Sequence, residues 1–364
     1  MTIRMVAGAL VAAALAIGSP AGESWARQDR GPRPPIESTV TELPLGQLTA
    51  AELASFRAAA QYSSDHGGHS VAVMRDGMLL YEDYRGPETV SEARLLASGS
   101  KSFWCVAAAA AVADGKLTLD EFAADTLTEW KSDPRKSRIT VRQLLSFTSG
   151  LASGVRELQG GDGDKFQAVL DLPAEHEPGA AYTYGPSHLS AFGALLDRRL
   201  GEDPLAFLER RVLSRIGMNV ALWRRDGGNH PIMASGAALT TREWLKFGQF
   251  VLLAGNWNGT SVVPGSLLSE CLRGSTANPS YGLTFWLNSA PGFDPRSIRT
   301  GGGTANGRTD QAYIWADGPR DLFMAAGAGN QRLYMIPSRR LVVARQADND
   351  RDWSDAEFLS LLLK

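Results

Sequence analysis

Hydrophobic and polar positions change rhythm twice along the chain. In "TAAELASFRAAAQY" small and apolar residues recur at helical spacing behind Thr49 and Glu52, the separation of a capping box, so a helix begins there. "HSVAVMRDGMLLYEDY" reads as two β-rich runs, which Asp76-Gly77 joins as a hairpin turn. Then comes "LLASGSKSFWCVAAAAAVADGKL", Leu95 to Leu117. A polar Ser-Gly-Ser-Lys precedes a helix that is apolar on every side and stops at Gly115.

The middle of the chain is mainly helical. Thr140 and Gln143 cap a short helix, and Asp203-Pro204 opens another that runs to Gly217. Thr240 and Glu243 open a third, ending near Gly255, and Pro264 to Arg273 makes a fourth. Strands return at 281–288, 310–317, 322–329, 331–337 and 340–346, and Ser354 with Glu357 caps a last helix. No internal repeat is present. β-rich ends around a helical middle predict an α+β fold: an antiparallel sheet flanked by helices, built from both ends of the chain, with a mainly helical second lobe. The expected catalytic domain is 47–364, with an α/β lobe at about 47–116 and 308–364 and a helical lobe at about 117–307. A cleft between lobes is the default place for a site.

Composition adds limits. The 364 residues are 44% hydrophobic and 21% charged, with a formal charge of −2. That balance gives no reason to expect nucleic acid or an anionic membrane as partner, and the expected partner is a small-molecule or peptide-like substrate. The first 26 residues read as a secretory signal: Arg4 supplies the positive start, and Met5 to Gly18 is shorter than the ~20 apolar residues of a membrane span. Small residues precede two cuts, after Ala21 or after Ala26, and the later one is preferred. A Pro-rich, charged arm over 27–46 follows. The mature chain is therefore expected to be periplasmic or secreted, with no stable membrane anchor. Only two cysteines exist, and both are expected to be unpaired, Cys105 as a small hydrophobe inside its helix.

The candidate chemistry sits at Ser98 and Lys101. Three residues apart on a helix, they face the same side. Ser98 stands at the positive end of the helix dipole, where an oxyanion is stabilised. Lys101 cannot easily reach a solvated face of an all-apolar helix, and desolvation is what lets a lysine act as a base. Other signals are weaker. "HGGH" at 66–69 lacks a third metal ligand and reads as a loop before a strand, so no metal is called. "TGGGTANG" at 300–307 reads as a loop at the cleft rather than a phosphate site. His188 is placed either in the cleft or on a helix surface. Trp104, Tyr182, Tyr281, Trp286 and Tyr334 are assigned mostly to the core, with one or two shaping an acyl pocket.

Three ordered segments resemble the penicillin-binding and β-lactamase-like serine hydrolases, near the class C β-lactamases, the family VIII esterases and the 6-aminohexanoate-dimer hydrolases. "ASGSKSF" (97–103) is similar to the family's Ser-x-x-Lys segment. "LLSFTSGL" (144–151) is similar to its "LLTHTSGL", with Phe147 for His. "EPGAAYTYGPSHLSAFGALLDRRLG" (177–201) is similar to its tyrosine block and aligns Tyr184 with the catalytic tyrosine. The resemblance implies acyl transfer with Ser98 as nucleophile, Lys101 and Tyr184 as base, and no cofactor. Which of the two rests as the base stays open. Pro186 replaces the usual Asn, and the usual Lys-Thr-Gly is missing. Two segments compete for that place, 299–301 and 327–331, of which the second is chosen by context. It places Gly327, Ala328, Gly329 and Asn330 at the substrate, and pairs the backbone N–H of Gln331 with that of Ser98 as the oxyanion hole.

Overall fold

The computed structural model describes residues 36–85, 90–160, 162–289, 313–348, 350 and 352–364. The expected leader, the arm up to residue 35, Arg299 and the Gly-rich 300–307 lie outside the described residues. Pro35–Lys364 forms one compact unit. Its main elements are α1 (Ala50–Asp65), β1 (Gly68–Arg75), β2 (Met78–Tyr84), α2 (Ser102–Ala113), α3 (Ser187–Leu200), α4 (Thr241–Leu252) and α5 (Gly265–Glu270). They are followed by β3 (Trp286–Leu287), β4 (Phe323–Gly327), β5 (Gln331–Ile336), β6 (Leu341–Ala347) and α6 (Asp355–Leu362).

The six strands form one antiparallel sheet in the order β2-β1-β6-β5-β4-β3, so strands from both ends of the chain meet at β1 and β6. Helices cover both faces. Along β6, Arg345 Nε donates to Ser63 Oγ of α1 at 2.8 Å, and the next side chain, Gln346, accepts from Thr241 Oγ1 of α4 at 3.0 Å. Alternate residues of one strand thus meet opposite helical layers, which is why all seven residues of β6 are buried. A smaller sheet, Ile36–Glu37, Glu92–Leu95, Ala237–Leu239 and Leu222–Trp223, leads the chain into the turn that carries Ser98.

Local chemistry explains most boundaries. Thr49 and Glu52 form the expected capping box, and Thr140 with Gln143 forms another. Asp76 and Gly77 both take left-handed φ, 54° and 79°, as a two-residue hairpin of the primed type demands. The helix expected from Pro204 to Gly217 is split into an α-helix to Arg211 and a 3-10 turn over Leu213–Ile216. Segment 281–288 supplies only two ladder residues, because Gly282 N–H closes a tight turn on Phe285 O at 2.9 Å. The expected strand 310–317 is not one over its described part, 313–317. There the Asn288 amide accepts from Trp315 N–H and donates to the carbonyls of Trp315 and Pro319, taking backbone groups a ladder would need. At "HGGH", His66 Nδ1 bonds the Tyr62 carbonyl at 2.8 Å and His69 Nε2 lies 2.9 Å from Asp348.

The two cysteines are not free. Cys105 and Cys271 form a disulfide with Cα atoms 5.9 Å apart. The expectation failed because α2 is apolar all round and packs on several partners at once. Nothing in its pattern marks the face that meets α5 and the cysteine that follows it. The bond ties α2 to the segment leading to Trp286. Closing a long loop, it should contribute about 2–4 kcal/mol. Cys105→Ala should lower the unfolding free energy by that amount in urea titrations, with a steeper slope because the unfolded chain is no longer cross-linked. The native chain should show no titratable thiol until it is unfolded and reduced.

Candidate active site

The turn before α2 is a 3-10 helix, Ala97–Lys101, not the first turn of an α-helix. In that geometry side chains three apart eclipse one another. Lys101 Nζ accordingly lies 2.8 Å from Ser98 Oγ. Ser100 locks the turn: its hydroxyl donates to Ala97 O at 2.8 Å and accepts from Ala237 N–H at 3.0 Å. Ser98 remains partly accessible, whereas Lys101 is 4% exposed.

The other polar partner of Lys101 is the carbonyl of Ala234, at 2.9 Å. Burial without a countercharge disfavours the ammonium and brings the lysine down to about 7. Its nitrogen also lies 5.0 Å from the centre of the Tyr184 ring. Burial pushes the Tyr184 phenol up to about 12, against the lowering effects of the Ser98 hydroxyl and the Arg332 charge. Ser98 and Lys101, predicted from one motif, and Tyr184, predicted from another, therefore meet at one point.

Tyr184 precedes α3 and is held in an aromatic cluster. Trp286 stacks on it with ring centres 5.7 Å apart, and Tyr281 meets it edge-on at 6.2 Å. Tyr182 and Phe147 complete the group. Of the five aromatics singled out in the sequence, Tyr182, Tyr281 and Trp286 are at the site. Trp104 instead donates to Met233 O, and Tyr334 to Asp355. Pro186 stands at the N-cap of α3, its carbonyl accepting from Ser190 N–H at 3.0 Å, and it offers no side-chain amide. His188 is neither in the cleft nor on a surface. It is fully buried, stacked on Phe147, and burial pushes it down to about 4.

The end of β4 forms the facing wall. A Cβ on Gly327 would lie 2.0 Å from Leu96 O and 3.0 Å from Gly99 N, so only glycine lets the strand approach the turn this closely. The expected oxyanion donor needs correcting. Asn288 N–H donates to Leu322 O, so even-numbered residues of β4 present their backbone groups away from β5. Odd-numbered ones face β5, where Gly327 pairs with Gln331. The Gln331 N–H is thus directed at β4, and its side chain binds the backbone of Ala347. By the same alternation the N–H of Ala328, one residue past β4, points away from β5 and is left free of the β4–β5 ladder. Gly329 and Asn330 turn the chain with φ of 77° and 58°, and the Asn330 amide donates to Asp350 O at 2.8 Å, so it is directed into the fold.

Arg332, the cation next to the segment that replaces the usual Lys-Thr-Gly, is committed elsewhere. It is 3% exposed and meets Asp355 at 2.7 Å. Asp355 also accepts from Tyr334 and from Trp353 Nε1, and the Arg332 charge holds its carboxyl below the usual range. Sequence reasoning missed the Ala234 carbonyl altogether, and no signal could have found it, since a main-chain group carries no residue type.

A helix-flanked antiparallel sheet with this turn at its edge is a β-lactamase/transpeptidase-like fold. The structure of a 6-aminohexanoate-dimer hydrolase homologue from Bacillus anthracis superposes with a TM-score of 0.70 at 16% identity, covering 90% of this chain and 88% of that one. Residues 55–347 match the family model described as "Beta-lactamase", and the chain belongs to the beta-lactamase family of serine hydrolases. It is 27% identical over 162 residues to a beta-lactamase of Pseudomonas fluorescens, and 26% identical over 184 residues to the lovastatin esterase of Penicillium rubens. These matches cover 42% and 43% of this chain, and 45% and 46% of those relatives, so the chain spans about half the length of the curated relatives it matches.

Gly327→Val should drive β4 off the turn. Overpacking of this kind costs about 1–3 kcal/mol. The expected result is a lowered melting temperature together with loss of labelling by a fluorophosphonate probe, while Gly329→Ala at the hairpin tip should cost less on both counts.

Proposed function

We propose that the chain is an exported serine hydrolase that cleaves esters by an acyl-enzyme route, with Ser98 as nucleophile and Lys101 as the resting base. The observation that carries this reading is a lysine near neutrality, 2.8 Å from a reachable serine. Neutral Lys101 accepts the Ser98 proton as Oγ attacks the carbonyl carbon. The N–H groups of Ser98 and Ala328 receive the oxyanion, and each such donor is typically worth ~2.7–4 kcal/mol. Tyr184, still protonated, gives its proton to the leaving oxygen and recovers one from Lys101. Water repeats the sequence and releases the acid. The Tyr184 ring, centred 5.0 Å from Lys101 Nζ, supports this relay.

Esters are favoured over β-lactams by charge. A β-lactam carries a carboxylate beside the scissile bond, and burying it without a cation costs several kcal/mol. Residues 323–331 hold no lysine, Pro186 has no amide to offer, and Arg332 is paired with Asp355. A β-lactamase or D-Ala-D-Ala carboxypeptidase is the second reading, and a non-catalytic binding protein of the same fold the third. Export rests on the composition of residues 1–26, and the Cys105–Cys271 disulfide is the kind that persists in oxidising compartments.

Ser98→Ala should abolish turnover and fluorophosphonate labelling with little change in melting temperature, and a variant that is still labelled identifies another nucleophile. For the wild type, kcat/KM on p-nitrophenyl butyrate should exceed that on nitrocefin by a wide margin. The opposite ratio would give the β-lactamase reading first place. Because the ammonium form of Lys101 cannot accept a proton, kcat/KM should climb as pH rises through about 7 and then level off. Secretion from a suitable host should yield a species beginning at residue 27 by intact mass, and a periplasmic product retaining residues 1–20 sinks the signal-peptide reading.

A further inference from the structure

We propose that His188 is a positioning residue for Tyr184, acting through the main chain of Thr183. This rests on the proposed role of Tyr184 as proton relay. Both backbone groups of Thr183 are clamped. Its N–H donates to the carbonyl of Phe147 at 3.0 Å, and its C=O lies 2.7 Å from His188 Nε2. A carbonyl can only accept, so Nε2 carries the hydrogen. Nδ1 is then the acceptor, and the Ser149 hydroxyl donates to it at 2.8 Å. The imidazole is fully buried and fully satisfied, with one tautomer specified from each side.

The clamp is rigid because its other half is constrained too. Phe147 takes a left-handed φ of 61°, unusual for a bulky residue, and its ring stacks on the imidazole with centres 4.9 Å apart and planes 16° apart. Residues 147 and 149 therefore hold His188 and Thr183 from the same loop. Tyr184 is the next residue along, and in the proposed relay its hydroxyl must stay within reach of Ser98 while protons pass. A shift of the Thr183 peptide moves the whole phenol, and a misplacement of about 1 Å can cost about a hundredfold in rate. His188 is engaged by Ser149, Thr183 and Phe147 rather than by Ser98 or Lys101, so its effect is on placement alone.

Two side-chain amides separate this role from simple packing. In His188→Gln the terminal amide sits near the Nε2 position and can still donate to Thr183 O. In His188→Asn it sits near Nδ1, can still meet Ser149, and falls short of Thr183. The expected result is that Gln stays within about fivefold of wild-type kcat on p-nitrophenyl butyrate. Asn should lose about tenfold to a hundredfold in kcat with KM within about threefold, and the rate of fluorophosphonate labelling of Ser98 should fall in parallel. Melting temperatures are measured on both. Equal kcat in the two variants, or a loss confined to KM, overturns the proposal, and so does a Gln variant that folds but is as slow as Asn. Should either variant fail to fold, Ser149→Ala decides: freeing the tautomer should lower kcat at unchanged KM, and an unchanged kcat overturns the proposal. Ser98→Ala run alongside keeps the two ideas apart. If it is still labelled, the nucleophile assignment has failed, whereas labelling that needs Ser98 but is indifferent to residue 188 fails the positioning role alone.

Discussion

The site depends on one unfavourable act, the burial of the Lys101 amine with no carboxylate beside it. Its two polar partners are a hydroxyl and a carbonyl, at 2.8 and 2.9 Å. Neither stabilises an ammonium well enough to hold the proton, so the lysine rests near 7. A paired lysine would have been more stable and useless as a base. The surrounding packing must therefore overrule the tendency of a long charged side chain to reach water, and α2, apolar on all sides, does this.

The remainder of the core holds that arrangement in place. β4 can press against the Ser98 turn because Gly327 has no side chain to collide with Leu96 O. The turn itself is pinned by Ser100 to Ala97 and Ala237. The disulfide fixes α2 to the segment that ends in Trp286, the ring stacked on Tyr184. Ser98 and Lys101 thus come from one turn and the Tyr184 phenol from a distant segment, and each is held by groups outside the trio.

Charge is arranged by the same economy. Arg332 and Asp355 neutralise one another behind the β4–β5 hairpin, and removing one member of such a pair typically costs about 3–5 kcal/mol. The pair stabilises the hairpin from behind while leaving the cleft side of β4 to neutral backbone. That distribution is the physical ground for the ester preference proposed above.

Local features were legible in the sequence wherever one short stretch carries the whole cause. Capping boxes at Thr49 and Thr140, the Asp76-Gly77 turn, the all-buried helix and the Ser98–Lys101 spacing are of this kind, since caps, turns and periodicity act over a few residues. The antiparallel sheet from both chain ends also followed from the order of rhythms. What only tertiary structure decided involves partners far apart in sequence. The Cys105–Cys271 bond joins residues separated by 166 positions. The commitment of Arg332 to Asp355, the turn of the Gln331 N–H toward β4 and the burial of His188 against Phe147 belong here too. Each depends on which face of a uniformly buried element meets which neighbour. A segment hydrophobic on every side shows that it is buried, and its pattern holds no record of against what.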